Sequence, residues 1–305
     1  MSKGIQSRRT IGIVGGGAAG MMAAITAARQ GAEVTVFERN ERIGKKILMT
    51  GNGKCNLGNY GISMDAYYGN NKEWIERALE RFQTADTVDF FRGLGLLLKS
   101  KNGYLYPACE QAAVVLDVLR YELQALNVNL VTECKINSVS REEGTGKIVL
   151  GDGKKQYCFD RVILACGSKA APKTGSDGSG YKLAKQLGHS LIPTVPALVQ
   201  LRCREDYWKA VAGVRTEAEL SVYADGKCVA RERGELQLTD YGISGIPVFQ
   251  VSRIVNYILR NQEEVRIEIN LLPDYDENSF QQLCAGRELL QNERTVEEFF
   301  TGLLH

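Results

Sequence analysis

The chain has 305 residues with a formal net charge of +2, 44% hydrophobic and 24% charged residues, ordinary values for a soluble globular protein long enough for two domains. So small a charge, with no Lys/Arg cluster, argues against nucleic acid as a partner; no stretch approaches the ~18 to 20 apolar residues of a membrane span, and no apolar core follows the basic start as in a secretory signal, so a cytoplasmic location is expected. Eight cysteines without a C-x-x-C and two histidines, His189 and His305, offer no clustered ligand set, and no metal is expected.

The first predicted elements, over 10–38, are a strand, a glycine-rich turn, a helix and a second strand. Ile11, Ile13 and Val14 form the short apolar run of a strand buried on both faces of a parallel sheet. Gly15-Gly16-Gly17-Ala18-Ala19-Gly20 follows. Gly15 permits a tight turn, Gly17 removes a side chain that would hold a pyrophosphate away, and Gly20 lets the next helix lie close on the strand. That helix begins near Ala18 and Ala19, whose free N–H groups and positive dipole end suit phosphate, and Ala23, Ala24, Ala27 and Ala28 keep it slim. The second strand, 34–37, ends on Glu38. A carboxylate there can take both hydroxyls of an adenosine ribose and repels a 2′-phosphate, so the site suits FAD or NAD and disfavours NADP.

Next comes a polar segment with two motifs. Arg39, Lys45 and Lys46 belong to a basic run that either reaches the cofactor diphosphate or is a solvated charge run. The loop Thr50-Gly51-Asn52-Gly53-Lys54-Cys55-Asn56 has glycines that permit positive φ and amides that can satisfy a heterocycle. Taken together, the glycine turn, the ribose acid, the R-x-G-K-K turn and the T-G-N-G-K-C-N loop resemble the bacterial FAD-dependent oxidoreductase family that includes aminoacetone oxidase and the BaiN-type 3-oxo bile-acid reductase. The resemblance implies an α/β fold, a Rossmann-like FAD-binding domain of the two-dinucleotide-binding type with an inserted antiparallel β plus helical domain. It also implies FAD as cofactor, held by Gly15, Gly17, Gly20 and Glu38. Lys45, Lys46 and the loop from Thr50 to Asn56 would lie along the diphosphate and toward the flavin ring.

Over 72–126 the pattern is mainly helical, with Trp74, Ile75, Ala78 and Leu79, then Val88, Phe90, Phe91 and Leu94, then Leu116, Leu119 and Leu123 at core-facing spacings. Gly103-Tyr104-Leu105-Tyr106-Pro107 interrupts it as a strand ending in a turn; the family has Gly-Arg-Val-Phe-Pro there, so the role of its arginine does not transfer. A third parallel strand is expected at 129–132. An antiparallel excursion then runs through 135–140, 147–150 and 156–159, and the resemblance implies that Ile136 lies beside the adenine edge. The buried strand 161–164 leads into Ala165-Cys166-Gly167, a small-residue turn that lets the chain pass close beside a dinucleotide and resembles the second, A-x-G signature of these flavoproteins. A helix at 180–187 follows, and His189 reads as a cap.

Beyond Pro193 and Pro196, alternating runs at 198–202, 220–223, 228–230 and 235–239 predict a small antiparallel sheet. Ser244 as N-cap and Pro247 in the first turn open a helix through residue 260, with Ile246, Phe249, Ile254, Ile258 and Leu259 buried. The family has F-T-[HD]-x-G-x-S-G here, so the resemblance implies Thr239 and Ser244 as substrate-side residues, while the residues themselves read equally as a well-capped core helix. A strand at 265–271 and a helix at 277–300 complete the chain. The expected domains are 1–193, binding FAD, and 194–305, inserted on the substrate side. Nothing in 265–305 matches the family's return to the FAD sheet, so its C-terminal quarter is expected to be missing.

The implied chemistry is hydride transfer between flavin and a small amine, ketone or enone, with NAD(P)H as a candidate donor. No carboxylate pair or Cys/His pair marks a catalytic acid or base. Cys55 has no nearby cysteine and reads as a small packed side chain rather than a redox thiol. A non-catalytic flavin-binding remnant and a flavin-free NAD-dependent dehydrogenase remain open alternatives.

Overall fold

The computed structural model describes residues 8–69, 71–261, 263–290 and 295–303. They fall into two compact units, the first ending at Leu191 and the second beginning at Ile192. The first unit contains β1 (Thr10–Val14), α1 (Ala18–Arg29), β2 (Glu33–Phe37), β3 (Gly58–Asn59), α2 (Lys72–Arg81), α3 (Thr84–Gly93), β4 (Leu98–Lys101), β5 (Tyr104–Pro107), α4 (Ala112–Ala125), β6 (Asn129–Val131), β7 (Ser138–Arg141), β8 (Ile148–Gly151), β9 (Gln156–Phe159), β10 (Arg161–Leu164) and α5 (Ser179–Gln186).

Its parallel sheet has the order β10-β1-β2-β6, with Ile13 of the central β1 set between Val36 and Ile163. Both faces are covered, which is why these strands read as apolar runs. On one face Ile13, Val34 and Val36 pack with Met21 and Ile25 of α1 and Leu119 and Leu123 of α4. On the other, Val14 and Phe37 pack with Ile136, Leu150, Phe159 and Leu183. Gly12 is part of that second packing, because a Cβ on it would lie 2.6 Å from the Phe159 ring. The antiparallel β7-β8-β9 sheet therefore presses directly on β1.

Two expectations fail here. Helix α2 has the amphipathic spacing but no buried residue, and Trp74 is 72% exposed. Periodicity reports that a helix has an apolar side; it does not supply a surface to cover it. The strand expected from residue 135 begins only at Ser138, and Ile136 is buried ahead of it in irregular backbone.

The second unit contains β11 (Leu201–Arg202), β12 (Arg215–Ala224), β13 (Lys227–Thr239), β14 (Gly242–Gly245), α6 (Ile246–Arg260), β15 (Val265–Asn270), α7 (Glu277–Leu290) and α8 (Val296–Phe300). Its antiparallel sheet has the order β11-β14-β13-β12-β15. The two short runs at 228–230 and 235–239 are one strand. The Arg231-Glu232-Arg233 stretch that hid the link pairs with Ser221, Leu220 and Glu219 of β12, and its outward arginines meet Glu219 and Glu217. Helix α6 buries Val248, Val251, Ser252 and Val255, whereas Ile246 and Leu259 are 66% and 49% exposed and Phe249, Ile254 and Ile258 are half-buried. The expected face is thus rotated from the real one, whose i, i+3, i+4, i+7 spacing is carried by smaller side chains. In place of one helix over 277–300 there are α7 and α8; residues 291–294 of that expectation lie outside the described residues.

Candidate cofactor site

The glycine turn between β1 and α1 is built by three different constraints. Gly15 has φ +110, and a Cβ on it would lie 2.5 Å from the Ala165 carbonyl oxygen, so the A-x-G turn after β10 and the first glycine turn touch through backbone. A Cβ on Gly20 would lie 1.8 Å from the Gly15 carbonyl oxygen, which is what seats α1 against β1. Gly17 is different: it is the extended N-cap residue of α1, and a Cβ there would meet nothing within 4 Å. Helix α1 has no side-chain cap and no acidic residue in its first turn, and its first intrahelical bond runs from Met21 N to Gly17 O. The amides of Ala18 and Ala19, two residues that line the cleft, are therefore left without a helical acceptor.

Glu38 is only 8% exposed, and its carboxylate turns toward this glycine turn. Oε2 accepts from Gly16 N at 2.9 Å, while Oε1 accepts from Asn40 N at 2.9 Å and Asn40 Nδ2 at 2.6 Å. A carboxylate offers about four acceptor positions, so capacity for a further donor is left on Oε2. Asn40 was not anticipated; a short amide two residues after a buried acid is a weak signal that gains meaning only once the chain is seen to bend there.

A cleft of about 670 Å³ runs beside these groups. It is lined by Gly15, Gly17, Ala18, Ala19, Glu38, Arg39, Lys45, Lys46, Thr50, Ile136, Ala165 and Gly167, a large share of the anticipated set brought to one place. Gly20, Gly51, Asn52, Gly53, Cys55 and Asn56 do not line it. The cleft also takes in Cys134 and Tyr181, which no motif marked, and Cys166, the middle residue of the A-x-G turn. Burial pushes the Cys166 thiol up to about 11, and its Sγ lies 3.3 Å from the Val14 carbonyl oxygen, so it stays protonated and inert at neutral pH.

The basic run separates into two kinds of cation. Arg39 lines the cleft with its guanidinium engaged by Asp177, whose carboxyl it holds well below the usual range. Lys45 and Lys46 line the cleft, and among the described residues neither has an ion-pair partner.

The 50–56 loop bends through positive φ at Gly51 (+56), Asn52 (+54), Gly53 (+83) and Cys55 (+58). Only Thr50 faces the cleft, its Oγ1 donating to Ile47 O at 2.6 Å. Cys55 is 6% exposed within the cluster that holds Ile47 and Leu96, and burial raises its thiol pKa. Lys54 and Lys99 both pair with Glu110, at 2.6 and 2.7 Å, holding that carboxyl down to about 2. The loop is thereby tied to the β4–β5 hairpin's far end rather than laid open along the cleft.

In the second unit Thr239 Oγ1 donates to Gly242 O at 3.0 Å, and Ser244 is 5% exposed. Ser244 is not the N-cap of α6. It lies in β14 opposite Gln237, and Gly245 takes the cap position with φ +108, where a Cβ would lie 2.3 Å from the Glu235 carbonyl oxygen. His189 is exposed, and its backbone N–H, donating to Ala184 O at 3.1 Å, closes α5. Among the described residues no group of His, Cys, Asp and Glu could hold a metal ion, and no helix is long and apolar enough to cross a membrane.

The family described as the HI0933-like protein Rossmann domain matches residues 9–251. The chain belongs to this family. It is an FAD-dependent oxidoreductase by that membership, and the cleft fits FAD: an open N-terminus on α1, space where a Gly17 side chain would stand, two lysines without an ion-pair partner among the described residues and a carboxylate turned toward the glycine turn. The 3-dehydro-bile acid delta(4,6)-reductase of Clostridium scindens is 42% identical over 295 residues, covering 96% of this chain and 72% of that protein. The ribosomal RNA dihydrouridine synthases of Haemophilus influenzae and Escherichia coli are 30% and 31% identical, covering 87% and 88% of this chain. The chain spans just under two thirds, 64% and 65%, of the length of those two family members.

Proposed function

We propose that this chain reduces a carbon–carbon double bond conjugated to a carbonyl in a small, largely apolar molecule, with reducing equivalents from NADH or NADPH. The observation that carries the reading is the 42% identity to a delta(4,6)-reductase across nearly the whole chain, on a cleft that fits FAD. Of the substrate classes open at the sequence level, amine, ketone and enone, this favours the enone. When bound, FAD supplies the hydride chemistry: hydride goes to the alkene carbon remote from the carbonyl and a proton to the carbon beside it.

This chain's own residues do the holding. Glu38 takes the ribose hydroxyls, kept in register by Gly16 and Asn40. The amides of Ala18 and Ala19, with Lys45 and Lys46, take the diphosphate. Ile136 lies beside the adenine, and Ala165, Gly167 and Thr50 form the wall toward the ring. Thr239 and Ser244 belong to the substrate side. One glycine-rich βαβ crossing is present among the described strands, so a nicotinamide donor would enter the flavin cleft transiently.

Anaerobic stopped-flow absorbance tests this. Protein-bound flavin is expected to bleach with NADH or NADPH and to recover its colour on mixing with a 3-oxo-4-ene steroid. Flavin that binds but never bleaches would mark a non-catalytic binder. Recovery with ribosomal RNA and not with the enone would move the assignment toward the dihydrouridine synthases among its relatives, whatever the low net charge suggests.

A further inference from the structure

Arg39 and Asn40 reach across the cleft to the loop that precedes α5, and the contact depends on a residue with no role so far, Asp177. It stands 138 positions from Arg39 in the chain. Its carboxylate serves two groups at once: Oδ2 accepts from Arg39 Nη1, and Oδ1 accepts from the Ser179 backbone N–H at 3.0 Å, in the first turn of α5. Arg39 Nη1 also reaches the Gly175 carbonyl oxygen at 3.5 Å. Asn40 closes the same gap, since a Cβ on Gly175 would lie 2.8 Å from its Nδ2. Arg39, Asn40, Gly175 and Ser176 all line the cleft, beside Glu38. The two charged side chains are 33% and 32% exposed, so the pair is partly shielded from solvent and still open to salt.

We propose that Asp177 is a positioning residue for the cofactor: it draws Arg39 into a clasp over the Glu38 end of the cleft, so that FAD leaves only when this ion pair opens. The guanidinium then serves to close the cleft, and the diphosphate is left to Lys45, Lys46 and the α1 amides. This rests on the reading of the cleft as the FAD site. The competing arrangement has Arg39 on the diphosphate, and it makes the opposite prediction for Asp177, because removing that carboxylate would free the guanidinium to bind more tightly.

The experiment is the rate of FAD release from the holoprotein, followed by flavin fluorescence after dilution, with the melting temperature of each variant measured alongside. Asp177→Asn keeps an acceptor for the Ser179 N–H and loses the charge; it and Arg39→Gln are each expected to speed release by about three- to tenfold. The double variant should release no faster than either single one, Asp177→Glu should restore slow release, and high salt should speed the wild type more than the variants, in which only the lysine contacts to the diphosphate remain to be screened. Release from Asp177→Asn at or below the wild-type rate overturns the proposal, as do effects that multiply in the double variant. If Asp177→Asn fails to fold, Asp177→Ser, which also removes the charge that draws Arg39 away from the diphosphate, is read by the same criterion. Wild-type protein that takes up no flavin overturns the cofactor reading, and the clasp with it, before any variant is made.

Discussion

Two glycine-rich turns approach the cleft, and they are built for different purposes. In the turn of Gly15, Gly17 and Gly20 each glycine answers a separate contact: one to the Ala165 carbonyl, one to open space, one to the Gly15 carbonyl. In the loop of Gly51 and Gly53 there are four positive φ values, at Gly51, Asn52, Gly53 and Cys55, a Cβ on Gly51 would also lie 2.9 Å from Asn56 N, and only Thr50 faces the cleft. Gly20 is forced by a neighbouring backbone atom and Gly53 by its own φ, whereas Gly15 and Gly51 meet both demands. What separates the turns is that Gly15 and Gly17 line the cleft, while the second loop routes the chain so that Cys55 enters the core and Lys54 meets Glu110.

This comparison can be broken by substitution. The largest effect is expected for Gly20→Ala, because its Cβ would lie 1.8 Å from backbone that cannot move aside. A loss of about 3 kcal/mol or more, seen by chemical denaturation, is expected. Full stability would show that α1 does not need this close approach. Gly17→Ala should instead leave stability within about 0.5 kcal/mol while FAD affinity by titration falls about tenfold or more; unchanged affinity would mean that the diphosphate lies elsewhere. Gly51→Ala, at φ +56, should cost about 1 kcal/mol of stability and change FAD affinity by less than about threefold. A larger loss of affinity than of stability there would put the second loop on the cofactor.

The smallest effect concerns the thiols. Cys109, Cys158 and Cys228 are exposed and should alkylate readily in the native protein at mildly alkaline pH, while Cys55 and Cys166 lag. Since burial raises the Cys166 pKa, its thiolate forms only as pH rises toward about 11, so its labelling rate, read by mass spectrometry, should climb through that range. Rapid labelling of Cys55 at neutral pH, coupled to loss of flavin reduction, would contradict its role as a packed side chain.

Much of the first unit was legible because its signals are local. The β1-α1-β2 crossing, the third parallel strand and the antiparallel excursion each occupy a few consecutive residues whose spacing reflects a sheet covered on both faces. The same reasoning missed the exposure of Trp74 and rotated the buried face of α6, because amphipathic spacing names a stripe without saying what lies against it. It also split β13, whose middle is charged on the solvent side of a two-layer packing and so interrupts the apolar alternation.

By itself the sequence determined the dinucleotide turn, the acid that ends β2 and the family to which the chain belongs, since each is written in residues that are neighbours along the backbone. Only the tertiary structure decided that Asn40 holds the Glu38 carboxylate, that Cys55 is packed away and that Arg39 is claimed by Asp177 from 138 positions along the chain. The physical reason is range: backbone torsions and strand periodicity act over a few residues, whereas a charge or a buried thiol answers to whatever the fold places within a few ångströms of it.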